Sequence, residues 1–318
     1  MKNKALFMYN ILLIGGAGFI GSNLIGELLR KDETSVSVLE PEFASISRIK
    51  NFPVNVFRGE LSDINKVKSI LIDNQIDTIV HLVSTIIPGS TYDDYEREFT
   101  NVIFPSIRLM ELCCERHIKF VYFSSGGTVY GNRRENVPFT ETDNLAPISY
   151  YGWSKQMMEN SILFMHRTQG LEYLILRPSN PYGHGQNLYG KQGLIAVALG
   201  KILAKEKITV WGDGNAVRDY IYIDDLCKAV AGVLCNKDVI DTTLNVGSGV
   251  GCSVNEIIDI LKNVVDEDVL VEYVAARQAD VSSVFLDTSR LRKIIDFRPI
   301  GIIEGITKFY NDVKRSRG

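Results

Sequence analysis

The sequence contains no apolar run that approaches the ~18 residues needed to cross a bilayer, so no membrane span is expected. An excess of charge of either sign is missing too. Lys and Arg number 35 against 38 Asp and Glu in 318 residues, a formal net charge of −3. That balance gives no electrostatic case for nucleic-acid binding, and an anionic ligand would need a local site. Cysteine is sparse and unpatterned. Cys113, Cys114, Cys227, Cys235 and Cys252 make an odd five, with no C-x-x-C pair and no zinc-type His/Cys spacing. They read as reduced, buried thiols of a cytoplasmic protein, not as a disulfide framework or a metal site. His81 falls inside an apolar strand and reads as structural, while His117, His166 and His184 have no partner pattern. The opening "MKNKALFMYN" is too short and wrongly followed for a signal peptide and reads as a short leader.

What is present is a regular alternation of strand-like and helix-like segments over the first ~175 residues. "NILLIGG", "SVSVLE", "DTIVHLVS", "KFVYFSS" and "EYLILRPSN" are short apolar runs of the kind a buried parallel strand requires. Between them lie helical patterns, including "FIGSNLIGELLRK", "DINKVKSILIDN" and "YGWSKQMMENSILFMHRTQG", the last ending at Gly170 as a left-handed cap. "YEREFTNVIFPSIRLMELCCERH" predicts one long helix. Such alternation specifies an α/β fold with a doubly wound parallel sheet covered on both faces. After Ser179 the pattern loosens. The expected division is a dinucleotide-binding domain over residues 1–178, to which 219–247 returns, and a smaller α/β substrate domain over 179–318.

"GGAGFIG" places Gly15, Gly18 and Gly21 between the first strand and the first helix. The first glycine permits a tight turn, the second lets backbone approach a pyrophosphate, and the third lets the helix pack on the sheet. The free N–H groups of the helix start then face the phosphates, as in a Rossmann-type site. Glu40 ends the second strand, where a carboxylate can accept both ribose hydroxyls and repel a 2′-phosphate, which favours NAD over NADP. Glu60 and Leu61 follow the third strand, at the edge where adenine would lie.

"YYGWSKQ" sets Tyr151 and Lys155 four residues apart, on one face of a helix. A nearby ammonium and a cationic nicotinamide would both lower a phenol's pKa, so that a phenolate could take a proton from a sugar hydroxyl as hydride leaves. With "FSSGGTVYG" upstream and "LRPSNPYG", "VWGDGNAVRDYIYIDDL", "LNVGSG" and "RQADVSSVFLDTSRL" downstream, the chain resembles the extended short-chain dehydrogenase/reductase family. Within that family it resembles the nucleotide-sugar epimerases typified by UDP-galactose 4-epimerase, from Asn10 to about Pro299.

That resemblance implies roles residue by residue. Gly15, Gly18, Phe19, Ile20 and Gly21 cradle the NAD pyrophosphate, Glu40 holds the adenosine ribose, and Glu60 and Leu61 flank adenine. Leu82, Val83, Ser84, Asn101, Ser124 and Pro178 line or buttress the cofactor. Tyr151 is the base, and Lys155 holds the nicotinamide ribose. Asn180 and Gln192 meet the substrate diphosphate or its surroundings, Arg218 and Arg277 clamp the phosphates, and Asp280 sits near the nucleoside ribose. The substrate expected is a UDP-hexose or UDP-N-acetylhexosamine, and a homodimer joined through the helices near 95–116 and 154–168 is implied.

The chain also departs from the family. Ungapped alignment of the tyrosines puts Gly126 where a serine or threonine touches substrate. Ser125 or Thr128 can supply the missing hydroxyl, with Thr128 preferred. Gly127 and Thr128 occupy the positions of the Asp-Glu pair that 4,6-dehydratases need, which argues against dehydration. Val284 replaces a bulky aromatic and hints at room for an N-acetyl group. A 4-epimerase is the leading expectation. A 4-keto-sugar reductase and a non-catalytic nucleotide-binding protein stand as alternatives.

Overall fold

A computed structural model describes residues 9–31, 34–132, 137–275 and 283–317. The first half alternates β1 (Tyr9–Ile14), α1 (Phe19–Leu28), β2 (Thr34–Glu40), β3 (Asn55–Arg58), α2 (Ile64–Asp73), β4 (Thr78–His81), α3 (Tyr92–Glu98), α4 (Phe104–Arg116), β5 (Lys119–Phe123), α5 (Tyr150–Gln169) and β6 (Tyr173–Pro178). The second half contains β7 (Asn180–Tyr182), α6 (Leu194–Leu203), β8 (Ile208–Trp211), β9 (Val217–Tyr222), α7 (Ile223–Leu234), β10 (Thr242–Val246), β11 (Gly251–Ser253), α8 (Val254–Val264), β12 (Val271–Val274), β13 (Ser283–Val284), α9 (Ser289–Ile294) and α10 (Ile302–Arg317).

Seven strands form a parallel sheet in the order β10-β6-β5-β4-β1-β2-β3. The strands are continuously apolar because both faces are covered, and the period of two divides each run between two cores. Ile11 and Leu13 of β1 pack with α1 and α7 (Leu24, Leu28, Leu226, Val230). Leu12 and Ile14 pack on the opposite side with α2, α4 and α5 (Ile70, Leu109, Ile162). The switch point, where strand order reverses, falls between β1 and β4, so the glycine turn after β1 opens at the sheet's carboxyl edge.

The long helix expected through residues 95–117 is present, and it contains one irregularity. A π turn over Phe99–Ile103 separates α3 from α4. Pro105 accounts for the π turn: it has no N–H to donate to the carbonyl four residues back, and its ring crowds that carbonyl. The turn rotates α4 relative to α3 and leaves Glu98 buried at the end of α3.

In the smaller part, β9 is central. It pairs with β11 antiparallel and with β13 and β7 in parallel, while β8 pairs with β12. Its core combines Leu199, Ile202, Ile257, Leu261 and Phe309. β9 runs straight into α7, which packs on α1, and β10 then joins the main sheet beside β6. The chain therefore crosses between the two parts more than once. Among the described residues no helix is long and apolar enough to cross a membrane, and no cluster of His, Cys, Asp and Glu could hold a metal.

His81 sits in the middle of this sheet with 1% of its surface exposed, its Nε2 2.8 Å from Ser106 Oγ. Burial, and then the Lys155 charge, lower its pKa to about 3. The unfolded chain takes up this proton as pH falls through about 6.5, whereas the folded protein does not, so stability is lost below that pH at up to ~1.4 kcal/mol per unit. His81→Leu is expected to show a shallower fall than wild type in urea melts taken from pH 6.5 down to 4.5. Parallel curves would show that His81 is not held neutral.

Candidate active site

The glycine turn is built for close approach. Gly15 has φ +81°, a conformation side chains rarely adopt, and a Cβ at Gly21 would lie 2.5 Å from the Gly16 carbonyl. Gly18 is the N-cap of α1 and provides no side-chain cap, so the first N–H groups of the helix stay open to an anion. Phe19 and Ile20, half-buried, begin that helix. Glu40 is 5% exposed and accepts a hydrogen bond from Ala17 N–H at 2.6 Å. Its pKa is raised by burial, against which the Ala17 hydrogen bond and the Arg58 charge act. The acid at the end of β2 is thus held against the glycine turn. Leu61 is buried beside exposed Glu60. Leu82, Val83 and Ser84 leave the end of β4 half-buried, and a Cβ on Gly15 would touch Val83. Asn101 stands exposed on the π turn. These groups fit a dinucleotide with its pyrophosphate on the start of α1.

Tyr151 and Lys155 both project from α5 into the sheet edge. Lys155 is 4% exposed and donates to the Phe123 carbonyl at 2.9 Å. Its Nζ lies 5.6 Å from the centre of the Tyr151 ring and 5.0 Å from that of Tyr122. The ammonium therefore sits over the ring, tied to the end of β5. Burial lowers Lys155 to about 8, opposed by the carboxylates of Glu98 and Glu159. Burial pushes the Tyr151 phenol up to about 12; the Ser125 hydroxyl, hydrogen-bonded to it, lowers it, and the Glu98 charge raises it further. Desolvation sets the direction, and the lowering expected from Lys155 does not appear among the influences on the phenol.

Four sequence expectations meet the geometry here. Gly126, expected at a substrate position, has no room for a side chain: it is buried, and a Cβ on it would lie 2.6 Å from Leu286 Cδ1 and 2.9 Å from the Arg177 carbonyl. Its N–H is bonded to the Pro178 carbonyl at 2.8 Å, in the buried end of β6. The hydroxyl that meets Tyr151 is that of Ser125, not Thr128, whose buried Oγ1 finds no partner among the described residues. The Ser124 hydroxyl, expected at the cofactor, is committed to Glu159, donating to its Oε1 at 2.5 Å. Val284, read as a gap for a larger substituent, is 1% exposed and packed with Val129, Tyr130, Phe139 and Leu286.

On the other side of the turn, Asn180 and Arg218 line one cavity of about 260 Å³, with Tyr182, Leu194, Thr209 and Trp211. Asn180 donates to the Asp219 carbonyl at 2.9 Å, and its amide oxygen lies 3.3 Å from where a Cβ of Gly127 would stand. Asn180 thus joins the cavity to the catalytic turn. Gln192 is exposed and outside the lining, while its neighbours Gly193 and Leu194 belong to it. Arg277 and Asp280 lie outside the described residues. Sequence reasoning missed Glu98 and Glu159. Glu159 follows Lys155 by one helical turn and was detectable as an acid on an otherwise apolar face; nothing local marked Glu98.

A glycine turn opening a Rossmann-type helix, beside a buried tyrosine–lysine pair on one helix, defines a dinucleotide-dependent enzyme of the short-chain dehydrogenase/reductase class. The chain belongs to the NAD dependent epimerase/dehydratase family, whose sequence model matches residues 11–247. NAD is its cofactor. It is 30% identical to a putative UDP-glucose 4-epimerase of Methanocaldococcus jannaschii, over 96% of this chain and 99% of that protein. It is 29% identical to the dTDP-4-dehydro-6-deoxyglucose reductase of Escherichia coli, over 96% and 97%. Among solved structures, the UDP-glucose 4-epimerase of Thermotoga maritima with UDP-glucose superposes with a TM-score of 0.89 at 28% identity, covering 97% of this chain and all of that one.

The placement of the hydroxyls gives a direct test. Ser125→Ala is expected to lower kcat by ~10²-fold, the scale of a lost proton-transfer partner, and Thr128→Val by no more than a few fold. Gly126→Ser is expected to cost ~1–3 kcal/mol of stability through overpacking against Leu286. Equal losses in the Ser125 and Thr128 variants, measured on any accepted substrate, would overturn the assignment.

Proposed function

We propose that the protein is a nucleotide-sugar 4-epimerase acting on a UDP-hexose or UDP-N-acetylhexosamine. The observation that carries this is the set of half-buried Tyr151 and Ser125 with buried Lys155 at the edge of a dinucleotide turn closed by Glu40. When bound, NAD supplies the hydride acceptor and donor. Tyr151 takes the proton of the sugar 4-hydroxyl, with Ser125 steering the transfer, and returns it once the 4-keto sugar has presented its other face. Lys155 keeps a positive charge under the phenol ring. Arg218 and Asn180 hold the nucleoside diphosphate in the cavity beside the turn, where guanidinium geometry suits phosphate. The epimerases among the relatives support the same reaction.

The second reading is a reductase of a 4-keto nucleotide sugar, favoured by the identity to the Escherichia coli enzyme. A reductase must exchange its cofactor. The Glu40 carboxylate disfavours a 2′-phosphate at the ribose and so weighs against NADPH. Pairing of two copies through α4 and α5, with exposed Phe104, Trp153 and Phe164 at the contact, completes the proposal.

The deciding experiment incubates purified protein, without added cofactor, with UDP-glucose, UDP-galactose and their N-acetyl forms. Interconversion of one 4-epimer pair is the expected result and also establishes retained NAD. No conversion, together with reduction of a dTDP-4-keto sugar on addition of NADH or NADPH, would establish the reductase instead.

A further inference from the structure

We propose that Glu98 is a positioning residue of the catalytic centre. Its carboxylate fastens the loop after β4 to the end of α3 and holds a negative charge against the Tyr151–Lys155 pair. The inference rests on the reading of that pair as catalytic.

Glu98 is 3% exposed. Its Oε1 accepts from Ser84 Oγ at 3.0 Å; its Oε2 accepts from Thr85 N–H at 2.8 Å and Thr85 Oγ1 at 2.5 Å. Among the described residues it forms no ion pair at contact distance; three hydrogen bonds hold its carboxylate, and the Lys155 charge acts with it. A buried helix acid without a contact ion pair is costly to keep as a merely structural group. Hydroxyl or amide side chains could hold the same loop without a charge.

The groups that feel this charge are those of the reaction. On α5 they are Lys155 and Tyr151, and on β5 it is Tyr122. Glu159, on the other side, acts on Lys155 and Tyr122, and His81 is kept neutral by burial and then by Lys155. Glu98 supports the charged form of Lys155 against burial, and it opposes ionisation of Tyr151. The loop it fastens carries Ser84, and Leu82 and Val83 precede it at the cofactor side of β4. One carboxylate thus couples the position of that loop to the charge balance of the pair.

The test uses the NAD-loaded protein and needs no sugar. Ionisation of Tyr151 is read as phenolate absorbance, taken as the difference from the same protein carrying Tyr151→Phe. Glu98→Gln keeps an oxygen acceptor but removes the charge, and its Tyr151 transition is expected to move down by about half a pH unit or more. Glu98→Asp keeps the charge, and its transition is expected to stay near that of wild type. Glu98→Ala releases Thr85, and NAD is expected to dissociate several-fold faster. An unmoved transition in Glu98→Gln, or a moved one in Glu98→Asp, would overturn the electrostatic role. Unchanged NAD dissociation in Glu98→Ala would overturn the fastening role. Thermal melts check folding, and Glu98→Asp and Glu98→Ala decide the matter if Glu98→Gln does not fold. Failure of the sugar panel leaves these readouts intact, so the two proposals can fail separately.

Discussion

Glu159 and Arg177 form an ion pair sealed between α5 and β6, and the geometry of the site hangs on it. Arg177 donates from Nε at 3.0 Å and from Nη2 at 2.6 Å to the two carboxylate oxygens, with both side chains almost wholly buried. Burial on this scale is tolerated only when every remaining donor and acceptor is used. Ser124 supplies a third hydrogen bond to Glu159, and Arg177 Nη1 reaches the Tyr130 hydroxyl at 2.9 Å and the Glu141 carbonyl at 3.2 Å. Tyr130 in turn donates to Asn245 Oδ1 at 2.6 Å. The chain of bonds ties the end of β5, the catalytic helix, β6 and β10 into one block. Ser125 follows Ser124, and Lys155 precedes Glu159 by one helical turn. The two sides of the proton-transfer site are therefore set by the same pair.

A second buried carboxylate does the corresponding work for the substrate side. Asp219 accepts from Ser248 N–H and Oγ, from Gly249 N–H and from Leu286 N–H. Burial raises its pKa, opposed by those hydrogen bonds. Its own carbonyl receives Asn180. The strand that bears Arg218 is thereby clamped to the loop after β10 and to the segment after β13. Because β10 belongs to the main sheet, the cavity is fixed relative to the catalytic turn without relying on a hinge between parts.

Much of this was legible in the sequence, for stated reasons. Glycine spacing in a strand–helix context specifies a turn because only Gly fits at Gly15 and Gly21. The four-residue spacing of Tyr151 and Lys155 fixes their shared face because a helix has one period. The seven-strand sheet followed from apolar runs that nothing but two-sided burial explains. What failed was the direction of residues outside regular elements. In "SSGG" the chain leaves β5 and its alternation lapses, so counting back from the tyrosine named Gly126 and missed that Leu286 closes on it. Ser124 and Ser125 are neighbours with opposite duties, one bonded to Glu159 and the other to Tyr151, and no spacing rule separates them. The π turn was written in Pro105, but its consequence, the burial of Glu98, depends on tertiary packing that local pattern does not carry.

The protein alone is poised against its own chemistry. Burial raises the phenol and lowers the ammonium, the reverse of what proton abstraction at neutral pH requires. A positive charge brought against the ring would correct the phenol. The same charge would push Lys155 further down, towards a neutral amine that no longer helps. Only anions placed on the lysine side resolve the conflict, and two are there: Glu98 from α3 and Glu159 from its own helix. Glu159 shares its charge between Lys155 and its ion-pair partner Arg177. Glu98 makes no contact ion pair among the described residues, and it is the larger of the two supports for the Lys155 charge. A buried carboxylate at this position thus follows from asking one lysine and one tyrosine, in a dry site, to stay charged and neutral respectively until a cation arrives.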